Sequence, residues 1–239
     1  VKINIFNSEE ETIEGLARYF AILANEAIDT KGRCAVALSG GNSPKRLYEL
    51  LSSPLFKDQI PWQQLDFFFG DERYVLPTDS QSNYLMAKTA LFDPLKIEPA
   101  HILAVDTTLI PEESAESYAA SILDYFGHRE MEFDIILLGL GDNAHTASLF
   151  PHTTVLTETT PSVKAVFLQD QQVYRITFTA PLINLAHNII FLVYGSSKAT
   201  AVQQVVEGSR DANNFPAQLV NTGKGNIQWF IDEAAASGL

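Results

Sequence analysis

Cysteine is nearly absent from this chain. Cys34 stands alone, which excludes an intramolecular disulfide and any metal site built from cysteines. It falls within an apolar strand and reads as a small core residue. Positive charge is also scarce: 16 Lys and Arg stand against 29 Asp and Glu, a net charge of −13. That balance argues against general affinity for nucleic acid or for an anionic membrane surface. It leaves room for a small anionic ligand, because a few convergent cations outweigh a diffuse, salt-screened negative surface. No apolar run approaches the roughly 20 residues needed to span a bilayer. Glu9, Glu10 and Glu11 stand where a signal segment would be basic and then apolar, so a cytoplasmic location is expected. No repeat or low-complexity tract appears. The stretch 94–111 comes nearest to a linker but is too apolar for a flexible hinge, so one domain over 1–239 is expected.

What is present is a strict alternation of strand and helix patterns. Residues 2–6 read as a strand, and Ser8 with Glu11 forms a capping-box pattern that opens a helix. Ile13, Leu16, Ala17, Phe20, Leu23, Ala24 and Ala27 recur at helical spacing through it. Further strands are expected at 33–38, 65–69, 133–138, 163–168, 175–179, 188–194 and 227–231, and helices from Pro44 and over 80–91, 112–126 and 197–207. The polar stretch 71–79 reads as a loop. Continuous apolar strands between amphipathic helices predict an α/β fold, doubly wound, with a mostly parallel sheet covered by helices on both faces.

Three strand ends carry chemistry, and ligands of open α/β sheets bind at the carboxyl ends of strands. After residues 133–138 the chain turns on Gly139-Leu140-Gly141 and delivers His145 where a helical turn is expected. A histidine there can take a proton near neutral pH, although a satisfied loop histidine would look the same. After residues 33–38 comes Ser39-Gly40-Gly41-Asn42-Ser43-Pro44. Proline suits the first helical position and Ser43 before it can cap the helix. The free backbone donors favour an anion. The turn has neither the Gly-Lys-Ser/Thr ending of a Walker loop nor the third glycine of a dinucleotide fingerprint, so a compact phosphate fits better than a nucleotide. After residues 65–69, Gly70-Asp71-Glu72-Arg73-Tyr74-Val75 places three charges together. Arg175 at a strand start and Lys198 at a helix start add two cations of the kind that grip phosphate. A nucleophilic serine is disfavoured. Ser39 lacks the first glycine of a nucleophile elbow, and Ser148, on the same expected helical turn as His145, is poorly aimed at it.

Taken in order, these corners, with Ser82-Asn83, the run from His145 to Pro151, Arg175-Ile176-Thr177 and Gly195-Ser196-Ser197-Lys198-Ala199, resemble the 6-phosphogluconolactonase family. That family lies in the superfamily that includes glucosamine-6-phosphate deaminase. The resemblance covers nearly the whole chain. It implies a sugar-phosphate isomerase/deaminase-like fold and hydrolysis of 6-phosphoglucono-1,5-lactone in the oxidative pentose phosphate pathway. It implies no cofactor, no metal and a phosphosugar lactone as the only partner, in a monomer or a homodimer. By position, His145 resembles the general base. Ser39, Gly40, Gly41 and Ser43 resemble the phosphate-binding turn, with Arg175 and Lys198 as its clamps. Asp71 and Arg73 resemble residues that contact the sugar ring or support the attack.

The chain departs from the family pattern where Asn143-Ala144 replaces Asp-Gly ahead of the histidine. Asn143 can accept a hydrogen bond from the ring but supplies no charge, and Ala144 lacks glycine's tolerance of positive φ. Two other readings remain open. A glucosamine-6-phosphate deaminase would carry an acid five residues after the histidine, where this chain has Phe150. A non-catalytic sugar-phosphate sensor would ordinarily bring a DNA-binding or partner module, and no basic helix-turn-helix segment is visible.

Overall fold

The sequence is seen in space through a computed structural model that describes residues 1–221 and 225–239. Its strands are β1 (Lys2–Phe6), β2 (Cys34–Leu38), β3 (Leu65–Phe69), β4 (Asp71–Arg73), β5 (Ile135–Leu138), β6 (Val163–Leu168), β7 (Val173–Phe178), β8 (Asn188–Val193) and β9 (Asn226–Asp232). The helices are α1 (Glu9–Lys31), α2 (Asn42–Leu51), α3 (Asn83–Ala87), α4 (Asp93–Leu95), α5 (Pro111–Tyr125), α6 (Ala180–Ile183) and α7 (Ala199–Val206).

Helix α1 begins as its cap predicts, with the Ser8 hydroxyl accepting from the Glu11 N–H at 3.2 Å. The other half of the expected capping box is displaced by one residue. The Glu11 carboxylate takes the Asn7 backbone N–H at 3.2 Å and the Asn7 amide at 2.8 Å.

Six strands form one sheet in the order β1-β9-β8-β5-β2-β3, and every pair in it is parallel. Alternate residues of a strand point to opposite faces, and β2 shows the result. Ala35 and Ala37 join one buried cluster, with Ile136, Phe178 and Phe191. Cys34, Val36 and Leu38 join another beneath α1 and α2, with Leu16, Phe20 and Leu47. A strand buried on both faces has no polar side to show, which is why these strands read as unbroken apolar runs.

The remaining three strands correct the expectation of a single sheet. β4, β7 and β6 form a separate antiparallel sheet in that order, so the polar stretch after residue 69 begins as a short strand. Gly70 is the switch between the sheets: its N–H donates to Leu38 O at 2.9 Å, and its carbonyl accepts from Phe178 N at 2.8 Å. The helix expected over 80–91 is also broken up. α3 ends at Ala87 and a π turn, Lys88–Phe92, follows it.

Phe133, fully buried, fastens the sheets together. Its ring lies 5.1 Å from Phe68 on β3 and 5.3 Å from Phe178 on β7, with Phe126 at 5.2 Å. Phe133→Ala is expected to cost about 3–5 kcal/mol of stability in urea unfolding; a loss well below that range would mean the cluster repacks around the gap.

Candidate active site

The carboxyl ends of β8, β5, β2 and β3 lie side by side, because those strands are consecutive in the parallel sheet. At the end of β2, both backbone polar groups of Ser39 are held by one hydroxyl: the Ser39 N–H donates to Tyr48 Oη at 3.0 Å, and Tyr48 Oη donates to Ser39 O at 2.9 Å. Gly41 takes φ +104° and stands at the N-cap of α2, which has no side-chain cap bond. The expected arrangement therefore shifts: Asn42 is the first helical residue, Pro44 is the third, and Ser43 lies inside the helix instead of capping it. Ser39 Oγ is buried without a hydrogen-bond partner, and so is Asn83 Oδ1. A buried polar atom left unpaired costs about 1–3 kcal/mol. Asn83 packs against Gly40, where a Cβ would collide with its amide. Its Nδ2 donates to Asp71 O at 2.9 Å, which fixes the orientation of that amide.

Beyond β3, the three charges divide their work. Glu72 is buried, and its carboxylate accepts from the N–H groups of Arg73, Asn83 and Tyr84 at 2.7, 2.7 and 2.8 Å. It is a cap for α3, and burial nonetheless raises its pKa above the usual carboxylate value. Asp71 and Arg73, its neighbours in the strand, point the other way. Asp71 Oδ2 accepts from Ser148 Oγ at 2.6 Å. Enclosure pushes the Asp71 pKa up, while Ser148, Arg175 and Arg73 oppose the shift. Arg73 lies directly opposite Arg175 in the β4–β7 register. Like charges at opposed positions repel, yet among the described residues neither guanidinium is in an ion pair. Arg73 donates to Gln81 O at 2.7 Å and Arg175 to Gln171 Oε1 at 3.1 Å. Burial lowers the Arg175 pKa from its ordinary value. Two guanidinium groups held together outside any direct ion pair, with the Asp71 charge acting on both, form a cationic corner that suits an anion.

The turn after β5 is not the start of a helix. Ala144 and Ala147 take φ +58° and +47°, left-handed conformations that cost about 1–2 kcal/mol each outside glycine and interrupt any helical run. Ala144 thus adopts a positive-φ backbone despite its Cβ. Ser148, expected to share a helical turn with His145, instead reaches across to Asp71. The His145 ring is stacked on Phe150 with centroids 4.0 Å apart, and Gly141 lies so close that a Cβ there would enter the ring. Asn143 Oδ1 contacts His145 Nδ1 at 2.5 Å and accepts the His145 backbone N–H at 3.3 Å. A backbone N–H only donates, so the amide presents its oxygen, and Nδ1 must carry the ring proton. That leaves Nε2 as the acceptor. Burial, followed by the charges of Lys198 and Arg175, lowers the His145 pKa to about 4, against the opposing pull of Asp142. Lys198, just ahead of α7, donates to Asp142 Oδ1 at 2.6 Å.

These ends enclose a cleft of about 430 Å³ lined by Ser39, Gly40, Gly41, Ser43, Asp71, Arg73, His145, Arg175 and Lys198, every one of them expected from the sequence. Asn143 supports His145 from behind. Sequence reasoning gave no role to Asn83 and misplaced Ser148, and both line the same cleft. Ser82-Asn83 was visible as a motif; the contact from Ser148 to Asp71 spans 77 positions and leaves no local signal. Among the described residues, no group of three His, Cys, Asp or Glu side chains could hold a metal ion.

A neutral, oriented imidazole beside an uncapped glycine turn and unpaired cations, all at the strand ends of an α/β sheet, defines a protein of the class that handles small phosphorylated ligands. More narrowly, the chain belongs to the family described as glucosamine-6-phosphate isomerases/6-phosphogluconolactonase, whose model matches residues 7–229. It is 40% identical over 219 residues to a 6-phosphogluconolactonase of Synechocystis sp., covering 90% of this chain and 88% of that one. It is 38% identical over 244 residues to a 6-phosphogluconolactonase of Nostoc sp., covering 96% and 99%. The solved structure of 6-phosphogluconolactonase from Trypanosoma cruzi superposes with a TM-score of 0.87 at 28% identity, covering 100% of this chain and 96% of the other.

The depressed His145 pKa has a stability consequence whose sign is fixed. The folded protein binds this proton less readily than the unfolded chain. The stability from a neutral His145 is therefore complete above the ordinary value of 6.5 and is lost as pH falls from there toward about 4. His145→Gln is expected to lose less stability than wild type across that window, and imidazole NMR should place the native midpoint near 4. A midpoint near 6.5 would contradict the buried, cation-flanked environment.

Proposed function

We propose that this chain hydrolyses 6-phosphoglucono-1,5-lactone to 6-phosphogluconate, with residues 1–239 acting as a single domain. Relatives named for that activity cover nearly all of the chain. The observation that carries the mechanism is the His145 ring, its Nδ1 proton directed at Asn143 and its Nε2 left as an acceptor in the same cleft as Arg175 and Lys198.

The substrate's phosphate sits against Arg175, Lys198 and the turn of Ser39, Gly40, Gly41 and Ser43. Holding that remote group fixes the lactone carbonyl near His145. Nε2 takes a proton from water as its oxygen bonds to the carbonyl carbon. The oxyanion that forms is stabilised by the positive groups of the cleft. As the ring C–O bond breaks, the imidazolium returns its proton to the leaving ring oxygen, and the new carboxylic acid ionises. Asp71 and Arg73 contact the sugar ring or support the attack. A base with a pKa near 4 is weak but almost wholly unprotonated at neutral pH, which suits an activated ester. The deaminase reading is disfavoured by Phe150, an apolar ring stacked on His145 where a ring-opening relay needs a carboxylate. The reading includes a cytoplasmic location and no nucleic-acid or membrane partner, supported by the net charge of −13. Among the described residues no helix is long and apolar enough to cross a membrane.

Acid release from freshly prepared lactone, corrected for spontaneous hydrolysis, is the direct assay. His145→Ala should lower kcat by about 10²–10⁴-fold, and an unchanged rate would remove histidine from the mechanism. In the same assay, Arg175→Ala and Lys198→Ala should each raise KM about tenfold or more with a smaller effect on kcat. A wild-type KM in both variants would move the phosphate elsewhere.

A further inference from the structure

Asn143 brings no charge to His145, but the residue before it does. Asp142 is largely exposed at the lip of the turn, and its carboxylate holds the Lys198 ammonium at 2.6 Å, whereas Lys198 itself is only 26% exposed. The charged groups acting on His145 come from three elements. They are Asp142 on its own turn, Arg175 on β7 and Lys198 ahead of α7. Asp142 alone among them is negative, and it is bonded to a cation that lines the cleft.

We propose that Asp142 is a positioning residue that exchanges Lys198 with the substrate's phosphate, holding the ammonium at the lip until a dianion takes it over. The inference rests on the phosphosugar reading of the cleft. An ammonium is a compact charge with three rotatable donors, so it can turn from a carboxylate to a phosphate without moving its stem. A phosphate dianion attracts it more strongly than a single carboxylate does. Asp142 therefore opposes phosphate binding twice, by competing for Lys198 and by repelling the anion. It also favours release of a product that carries an additional carboxylate. The same residue keeps a negative charge beside His145, where this chain has an amide in place of the family's aspartate.

Asp142→Asn keeps the side-chain shape and removes the charge at an exposed position. Calorimetry with inorganic phosphate and with 6-phosphogluconate should show binding tightened about two- to fivefold, the range expected for one exposed ion pair. KM for the lactone should fall by a similar factor. The acid limb of kcat/KM should move to lower pH, because the one charge that raises the His145 pKa is gone. Asp142→Glu should restore wild-type values, which a purely structural role would not require. Normal wild-type turnover with unchanged phosphate affinity and acid limb in Asp142→Asn would overturn the exchange. Absence of turnover by the wild type would instead overturn the phosphosugar reading itself.

Discussion

Parallel pairing of β8, β5, β2 and β3 is the constraint from which the rest follows. Parallel neighbours run in the same direction, so their carboxyl ends emerge along one edge of the sheet. Residues far apart in the sequence, from Ser39 to Lys198, thereby line one cleft. The apolar runs that made the strands legible are the burial of both sheet faces, and this burial holds the edge in place. The site is a consequence of the core.

The smaller sheet completes the site by a different means. Gly70 leaves the parallel sheet and enters the antiparallel one within a single residue, and the register of β4 with β7 sets Arg73 against Arg175. Opposed like charges repel, and the Asp71 carboxylate beside them acts on both. Two buried unpaired acceptors, Ser39 Oγ and Asn83 Oδ1, lie under the neighbouring turn. Both belong to residues that line the cleft.

Much of this was legible in the sequence. Glycine-rich strand ends announce turns, and the residues singled out at those ends reach the cleft, except Glu72, which turns away to cap α3, and Asn143, which holds His145 from outside the lining. The small sheet was not legible, because β4 is three charged residues that read as a loop and the patterns of β6 and β7 carry no record of which sheet they join. Ser148 was misread for a related reason. Gly139-Leu140-Gly141 followed by a histidine resembles a helix start, and the left-handed conformations that prevent a helix fall on Ala144 and Ala147, residues that give no warning of positive φ. The core around the buried side chain of Ala144 holds it in a conformation alanine disfavours. Asn143 orients the His145 ring through its amide oxygen and brings no charge.

In the proposed mechanism a single ligand spans the cleft, with its phosphate on the cations and its C1 group at His145. A crystal structure with 6-phosphogluconate tests it most directly. The phosphate is expected on Arg175, Lys198 and the turn after β2, and a C1 carboxylate oxygen within hydrogen-bond reach of His145 Nε2, about 2.6–3.2 Å. A product bound with its phosphate away from those cations, or with its C1 carboxylate directed away from His145, would contradict it.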